Sequence, residues 1–391
     1  MKKFNFILFL AIFVVFILAL PSFSQNNPQD EDDVEYAVGK VQKIISQNQN
    51  KLLEGTLGGK QTIQKVKLKV LTGEYKGKIF TVDNQLTSSP IYDIKFKEGA
   101  RVILDIEKDN KNPDKPDIYI SDIERTPALM IIAGIFMTLI LVIGGMKGLK
   151  TLISILTTAA LIFGMLIPGM VAGLPVIPLT LATVLIAVLT AMFIINGINL
   201  KSISASIGTL VGLFVSGLIA LVIIKLAPLS GFTTQEAIIL WTSRPDLNLT
   251  HILAASIIIG ALGAIMDIGI SISSSIDELH RANKDLTPVQ LMRSGMNIGN
   301  DIIGAMSNTL ILAYIGSAMP LIILASNVSL MKFLNLNSIA CEITAALAGS
   351  IGIVLSVPLT AFVSAFLIGK KPVSCPEMIV KDENCCESHS E

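Results

Sequence analysis

The chain has 391 residues, 52% of them hydrophobic and 15% charged, and its 30 basic and 30 acidic side chains cancel to a net charge of zero. A mean hydropathy of +0.68 excludes an ordinary soluble protein of this length. A single tryptophan, few aromatics and the absence of a basic stripe exclude nucleic acid as a partner.

The charges are segregated. Residues 25–126 carry 16 Lys/Arg and 17 Asp/Glu, so 33 of the chain's 60 charges fall in about a quarter of its length. Ahead of them, Met1-Lys2-Lys3 and the apolar run from Phe4 to Leu20 form a positive start and a long hydrophobic stretch. Two readings of residues 1–24 stay open. One is a signal peptide cut after Ser24, where Ser22 and Ser24 supply the small residues; the other is an uncleaved signal anchor. Under either, the lysines hold the start in the cytoplasm and residues 25–126 are exported.

Within 25–126 the hydrophobic period becomes that of strands. Residues 64–84 place Val66, Leu68 and Val70 on one face and Lys65, Lys67 and Lys69 on the other, then turn at Thr72–Gly73. Segments 35–45, 100–109 and 116–124 read as further strands, and together they predict a small antiparallel barrel of the OB or SH3-like kind. This stretch has no cysteine or histidine, so neither a disulfide framework nor a zinc site is available to it. It is expected to act as a spacer or as a docking module, through which a partner protein or a second copy of the chain would bind; the alternative is a ligand-capturing module.

From 127 to 369 seven apolar segments follow, near 127–146, 150–172, 175–196, 202–227, 251–275, 296–326 and 342–369. Each is long enough to cross ~30 Å of hydrocarbon. The fold class is therefore a polytopic α-helical membrane protein with seven C-terminal spans, an N-terminal signal or anchor, and a small exported β-rich domain. With that domain outside, Lys147, Lys150, Lys201, Arg281, Lys284, Arg293, Lys370, Lys371 and Lys381 are cytoplasmic. Only Lys225, Arg244 and Lys332 are left on the outer side, nine against three, as the positive-inside rule requires. Residues 370–391 form a cytoplasmic tail.

Small residues recur every four positions in two segments: Ser204, Gly208, Gly212 and Ser216, then Ala348, Gly352, Ser356 and Thr360. Such stripes let helix backbones approach closely in lipid. Pro358 and the stretch Gly316 to Pro320 are expected kinks, and residues 233–241 a short interfacial helix anchored by Trp241.

The chemistry-bearing residues sit in the fifth and sixth segments. Asp267 lies inside an uncharged run, and Asn300, Asp301 and Asn308 lie in the next one. A carboxylate at bilayer depth is costly and so marks a functional site by default. Gly260, Gly263, Asp267, Ser271 and Ser274 share one helical face; Asn297, Asp301, Ala305 and Asn308 share another. Counted from the cytoplasmic loop, the two aspartates fall at similar depth, which predicts a hydrated polar seam between antiparallel neighbours. The blander readings are Asp301 in the first turn of its helix, near water, and Asp267 as a hydrogen-bonded helix clamp. Glu342 reads as the outer entrance of the last span.

The run Gly263-Ala-Ile-Met-Asp267, the serine-rich stretch 271–275, "DELHRAN" (277–283), "SGMNIGNDIIGAMSNTLILAYIGS" (294–317) and "GEYKGKIFTVDN" (73–84) resemble the YibE/F-like family of bacterial multipass membrane proteins. The resemblance implies a permease-like protein of the cell membrane without a defined substrate. The layout is also similar to RND-type and protein-export permeases, in which intramembrane aspartates relay protons, an analogy of architecture alone.

Three functions are weighed. The first is a transporter, or a subunit of one, of a small molecule or ion. In it Asp267 exchanges a proton or cation, Asp301 partners it, and Asn300, Asn308, Ser271 and Ser274 line the path, with no bound cofactor. The second is a non-catalytic assembly or sensor protein. The third is an intramembrane aspartyl protease, which needs two carboxylates sharing one proton, but Met266-Asp267 and Gly299-Asn300-Asp301 do not form the Gly-x-Gly-Asp motif of that class. In the tail, Cys375, Cys385, Cys386 and His389 are four soft-metal ligands within fifteen residues at a spacing that matches no standard finger. The alternative there is a reduced, flexible tail.

Overall fold

The structure, a computed structural model, describes residues 34–50, 61–86, 96–107, 116–325 and 328–369. The segment expected as signal or anchor, and the tail carrying Cys375, Cys385, Cys386 and His389, lie outside the described residues. The described chain forms two units that divide between Ile143 and Gly144.

The first unit holds a β half-barrel. Among the described residues it has five strands: β1 (Val34–Asn50), β2 (Gln61–Val70), β3 (Ile79–Leu86), β4 (Arg101–Glu107) and β5 (Asp117–Ile123). They form one antiparallel sheet in the order β3-β2-β1-β4-β5. Alternation decides which side chains go in. Val66, Leu68 and Val70 are completely buried, with Val102, Leu104 and Ile106 opposite them, whereas Lys65, Lys67 and Lys69 are exposed. Irregular register in β1 between Val41 and Lys43, and again between Ile44 and Ser46, bends the long central strand so that it serves both halves of the sheet. The turn after β2 uses Gly73 at φ 84°, a left-handed conformation that favours glycine. It is held by the Glu74 N–H donating to the Glu35 carboxylate and the Val38 N–H donating to Thr72 Oγ1, both at 2.8 Å. Gln64 is the polar exception inside. Its amide oxygen accepts from the Phe96 N–H and its NH2 donates to the Phe96 carbonyl, which pins the segment before β4 to the sheet. Just past β5, the Arg125 guanidinium and the Ile123 N–H hold the Asp122 carboxyl below the usual carboxylate range.

Helices make up the remainder: α1 (Thr126–Leu161), a π-helical turn (Ile162–Leu166), α2 (Ile167–Val171), α3 (Val176–Asn196), α4 (Leu200–Leu226), α5 (Gln235–Ser243), α6 (Leu249–Ala282), α7 (Pro288–Ser317), α8 (Met319–Ala325), α9 (Leu330–Leu334) and α10 (Asn337–Ile368). Among the described residues, five helical runs are long and apolar enough to cross a membrane, or six if α7 and α8 are one bent span. The protein is thus a polytopic helical membrane protein, and by length and apolarity these runs number five or six where the sequence predicts seven. The difference lies at the start, where Thr126–Val171 is one 46-residue run. At ~1.5 Å per residue, 46 residues are enough for two crossings of the hydrocarbon. It is interrupted at Gly145 (φ 52°, ψ −131°), and a seven-span count requires dividing it there. The expected break at Gly316 to Pro320 is present, with α8 bent 62° from α7. Helix α10, by contrast, stays one helix through Pro358.

Side-chain caps set where several helices begin. Asn199, Thr234, Asn248 and Thr287 each accept a hydrogen bond from a backbone N–H of the first turn. Thr287 and Gln290 complete a reciprocal capping box with Pro288 at the first helical position. Helix α5 carries Trp241 edge-on to Phe232 at 5.8 Å between centroids.

The bundle's centre is the contact of α4 with α10. A Cβ placed on Gly208 would strike Thr360, one on Gly212 would lie 2.7 Å from Ser356 Cβ, and one on Gly352 would lie 2.8 Å from Ser216 Cβ. The two small-residue stripes therefore face each other along antiparallel helices, and Ser204, Gly208, Gly212 and Ser216 are buried together with Ala348, Gly352 and Ser356. Gly→Ala in a helix ordinarily gains stability. At Gly208 the added carbon would sit 2.9 Å from the Thr360 Cα, backbone that cannot swing aside. Gly208→Ala is therefore expected to destabilise the purified protein by about 1–3 kcal/mol. Gly263→Ala, whose Cβ meets nothing within 4 Å, is expected to leave the melting temperature unchanged or higher. Thermal unfolding of the two variants in one detergent checks the opposite signs.

Candidate functional site

Helix α6 is amphipathic in a membrane sense. Its buried face is Ala254, Ile258, Ala261, Ile265, Ile268, Ile272 and Ile276, which belong to the apolar cores of the bundle. The other face carries Gly260, Gly263 and Asp267, all exposed, and Ser271 and Ser274, half-buried. Asp267 is thus at the rim of the bundle and not in its centre. Among the described residues it has no ion-pair partner and makes no hydrogen bond to Asp301.

Glycines fix how α7 lies against α6. A Cβ on Gly295 would meet Ile276 at 2.6 Å and Ala361 at 3.3 Å; one on Gly299 would meet Ile272 at 3.2 Å and also Val357. At the far end, a Cβ on Gly260 would meet the Tyr314 hydroxyl at 2.5 Å. The helices run antiparallel, so a rung of contact is found by stepping seven residues along each, about two turns, which returns to nearly the same face. The contacts made through shorter side chains, Gly299 with Ile272 and Gly295 with Ile276, put Asp267 level with Gly304 and Ser274 level with Asn297, so Ser307 and Asn300 lie within about one turn of them.

Ser307 Oγ is buried and has no hydrogen-bond partner among the described residues, as also holds for the hydroxyls of Thr209, Ser216, Ser350, Thr360 and Ser364 elsewhere in the bundle. A buried hydroxyl left unpaired costs on the order of 1–3 kcal/mol. Sequence reading did not single out Ser307 or Tyr314. The available signal was the seven-residue spacing Asn300, Ser307, Tyr314, which mirrors Gly260, Asp267, Ser274.

Asp301 lies one residue past Asn300, about 100° further around α7. It is exposed there with Asn297, Ala305 and Asn308. Along the helix axis it is within about 5–9 Å of the level of Asp267, from the rung spacing. Asp267 of α6 and Asn300, Asp301 and Asn308 of α7 are thus all exposed, and Ser274 and Ser307 half-buried, on two antiparallel helices whose levels overlap. Two carboxylates arranged this way do not share a proton directly, as an aspartyl protease requires. What the two helices carry at overlapping levels is one carboxylate on α6, with hydroxyl oxygens on both helices and amide oxygens on α7. Such a set can pass a proton or hold a hard, oxygen-seeking monovalent cation. Among the described residues no group of three or more His, Cys, Asp and Glu could hold a metal ion.

Comparison with known proteins follows the same division of the chain. Residues 34–123 match the YibE/F family N-terminal domain, and residues 132–370 match the YibE/F-like protein family. No curated protein and no solved structure matches the chain. The two matches span the half-barrel and nearly all of the helical region, including all of α6 and α7, and the chain belongs to the YibE/F family.

Proposed function

We propose that this protein is a permease-like transporter of the bacterial cell membrane, or a subunit of one, in which Asp267 takes up and releases a proton or small cation. The observation that carries this reading is Asp267 itself, a carboxylate without an ion-pair partner among the described residues in the middle of a membrane-spanning helix, with Ser271 and Ser274 on its own face and Asn300 and Ser307 at overlapping levels of α7. Asp301 and Asn308 extend the same polarity onto the next face of α7, where they meet the hydrated end of the path. The half-barrel is outside and the C-terminus in the cytoplasm, in keeping with the nine-to-three distribution of loop cations.

Two measurements test this. Asp267→Asn keeps the size of the side chain and removes its exchangeable charge. In a deletion strain, it is expected to lower ion accumulation or rescue of growth by roughly a hundredfold, the loss typical when a positioned proton carrier is removed. Ser307→Ala is expected to lower it less. Full rescue by Asp267→Asn would overturn the relay. The geometry is tested apart from activity by paired cysteines in a chain whose native cysteines are replaced. Asp267→Cys with Ser307→Cys is expected to cross-link with a short bifunctional reagent, and Asp267→Cys with Asp301→Cys to react at most weakly.

A further inference from the structure

At the opposite end of α7 from its capped start, the 62° break before α8 leaves room. A cavity of about 270 Å³ is bounded there by α7, α8, α9 and α10. Its wall is aliphatic and aromatic, including Ile311, Ile315, Phe333, Ala346 and Leu347, with two exceptions, Tyr314 and Glu342. Glu342 is half-buried, close to the start of a membrane-spanning helix, and has no cationic partner among the described residues. Lys332, in α9 beside Phe333, is exposed and does not pair with it.

The polarity of the cavity is graded. Gly349 of α10 packs against Leu310 of α7, and Val357 of α10 against Gly299, so these two helices are antiparallel. Glu342 is then level with the last turn of α7, and Ala346 and Leu347 are level with Ile311, one turn deeper. The acid is thus at the helix-end side and the purely aliphatic wall lies inward. A carboxylate in that place is favourable only with a positive charge or water beside it. The ring of Tyr314 adds a second feature that attracts cations.

We propose that this cavity binds a single-chain alkylammonium: a cationic head held by Glu342 and the face of Tyr314, with its hydrocarbon chain against Ile311, Ile315, Ala346 and Leu347. The volume is slightly below the range of pockets for drug-sized ligands, ~300–1,000 Å³, which suits one chain and not the body of a two-chain lipid. This site is separate from Asp267 and does not depend on the transport reading.

The test uses the full chain in phosphatidylcholine nanodiscs and three photoreactive probes of equal chain length, a dodecylamine, a dodecanol and a dodecanoate. The amine is expected to label the Ile311–Ile315 and Ile343–Leu347 segments roughly tenfold more than the alcohol, the ratio for one charge-assisted contact, and the carboxylate least. Glu342→Gln should bring the amine down to the alcohol's level, Glu342→Asp should retain the preference, and Ala346→Phe should suppress all three probes by filling the cavity. Unchanged elution and melting of each variant shows that it is folded. Equal labelling by amine and alcohol in the native protein overturns the proposal, as does a preference that survives Glu342→Gln. Loss of amine labelling when phosphatidylethanolamine replaces phosphatidylcholine overturns it too, because the cavity would then hold a bilayer headgroup.

Discussion

In lipid no hydrophobic force draws one apolar helix to another, and the bundle depends on how closely the backbones of α4 and α10 approach. Gly208 against Thr360, Gly212 against Ser356 and Ser216 against Gly352 form a continuous line of contact in which any larger side chain would collide. This line also places the functional face of α6. Ile265 wedges into it, its side chain lying where a Cβ on Gly212 or on Gly352 would meet it at 3.0 and 2.9 Å. With Ile265 turned inward, a residue two positions on is rotated by about 200° and must face outward. Asp267 is that residue.

The same logic fixes α7. Gly295 and Gly299 let it settle on Ile276 and Ile272 of α6 and on Ala361 and Val357 of α10. Three helices thus share one apolar centre, and everything polar on α6 and α7 is pushed to their rims. Had α7 carried larger residues at 295 and 299, it would stand off or rotate, and Ser307 would leave the level of Asp267. The exposure of the polar residues on α6 and α7 is therefore a consequence of glycine packing on the opposite face.

Much of this was legible in the sequence, for reasons that differ by element. Alternation at Val66, Leu68 and Val70 reports burial directly, because the side-chain period of a strand is two and the sheet has one dry face. The break near Pro320 was legible because proline and glycine act locally. Which side of α7 meets α6 was not legible, because it depends on a register set by Gly295 and Gly299 against residues distant in sequence. The same limit hid Ser307. It also hid the surroundings of Glu342, which in sequence is only an acid near a helix start. The seven apolar runs were legible from hydropathy, and the first two are joined in the structure across the non-helical Gly145, where dividing them gives the expected number.

Tyr314 joins these strands of argument. Its hydroxyl lies against Gly260, on the rung two turns from Asp267, and its ring forms part of the cavity wall beside Glu342. Any larger residue at 260 would displace it, so a glycine in α6 fixes the position of a side chain that borders a site at the end of α7. Three residues beyond Tyr314 the helix breaks. Tyr314 thus borders both neighbourhoods, and the packing that fixes it comes from a glycine in one helix and from the cavity wall formed by others.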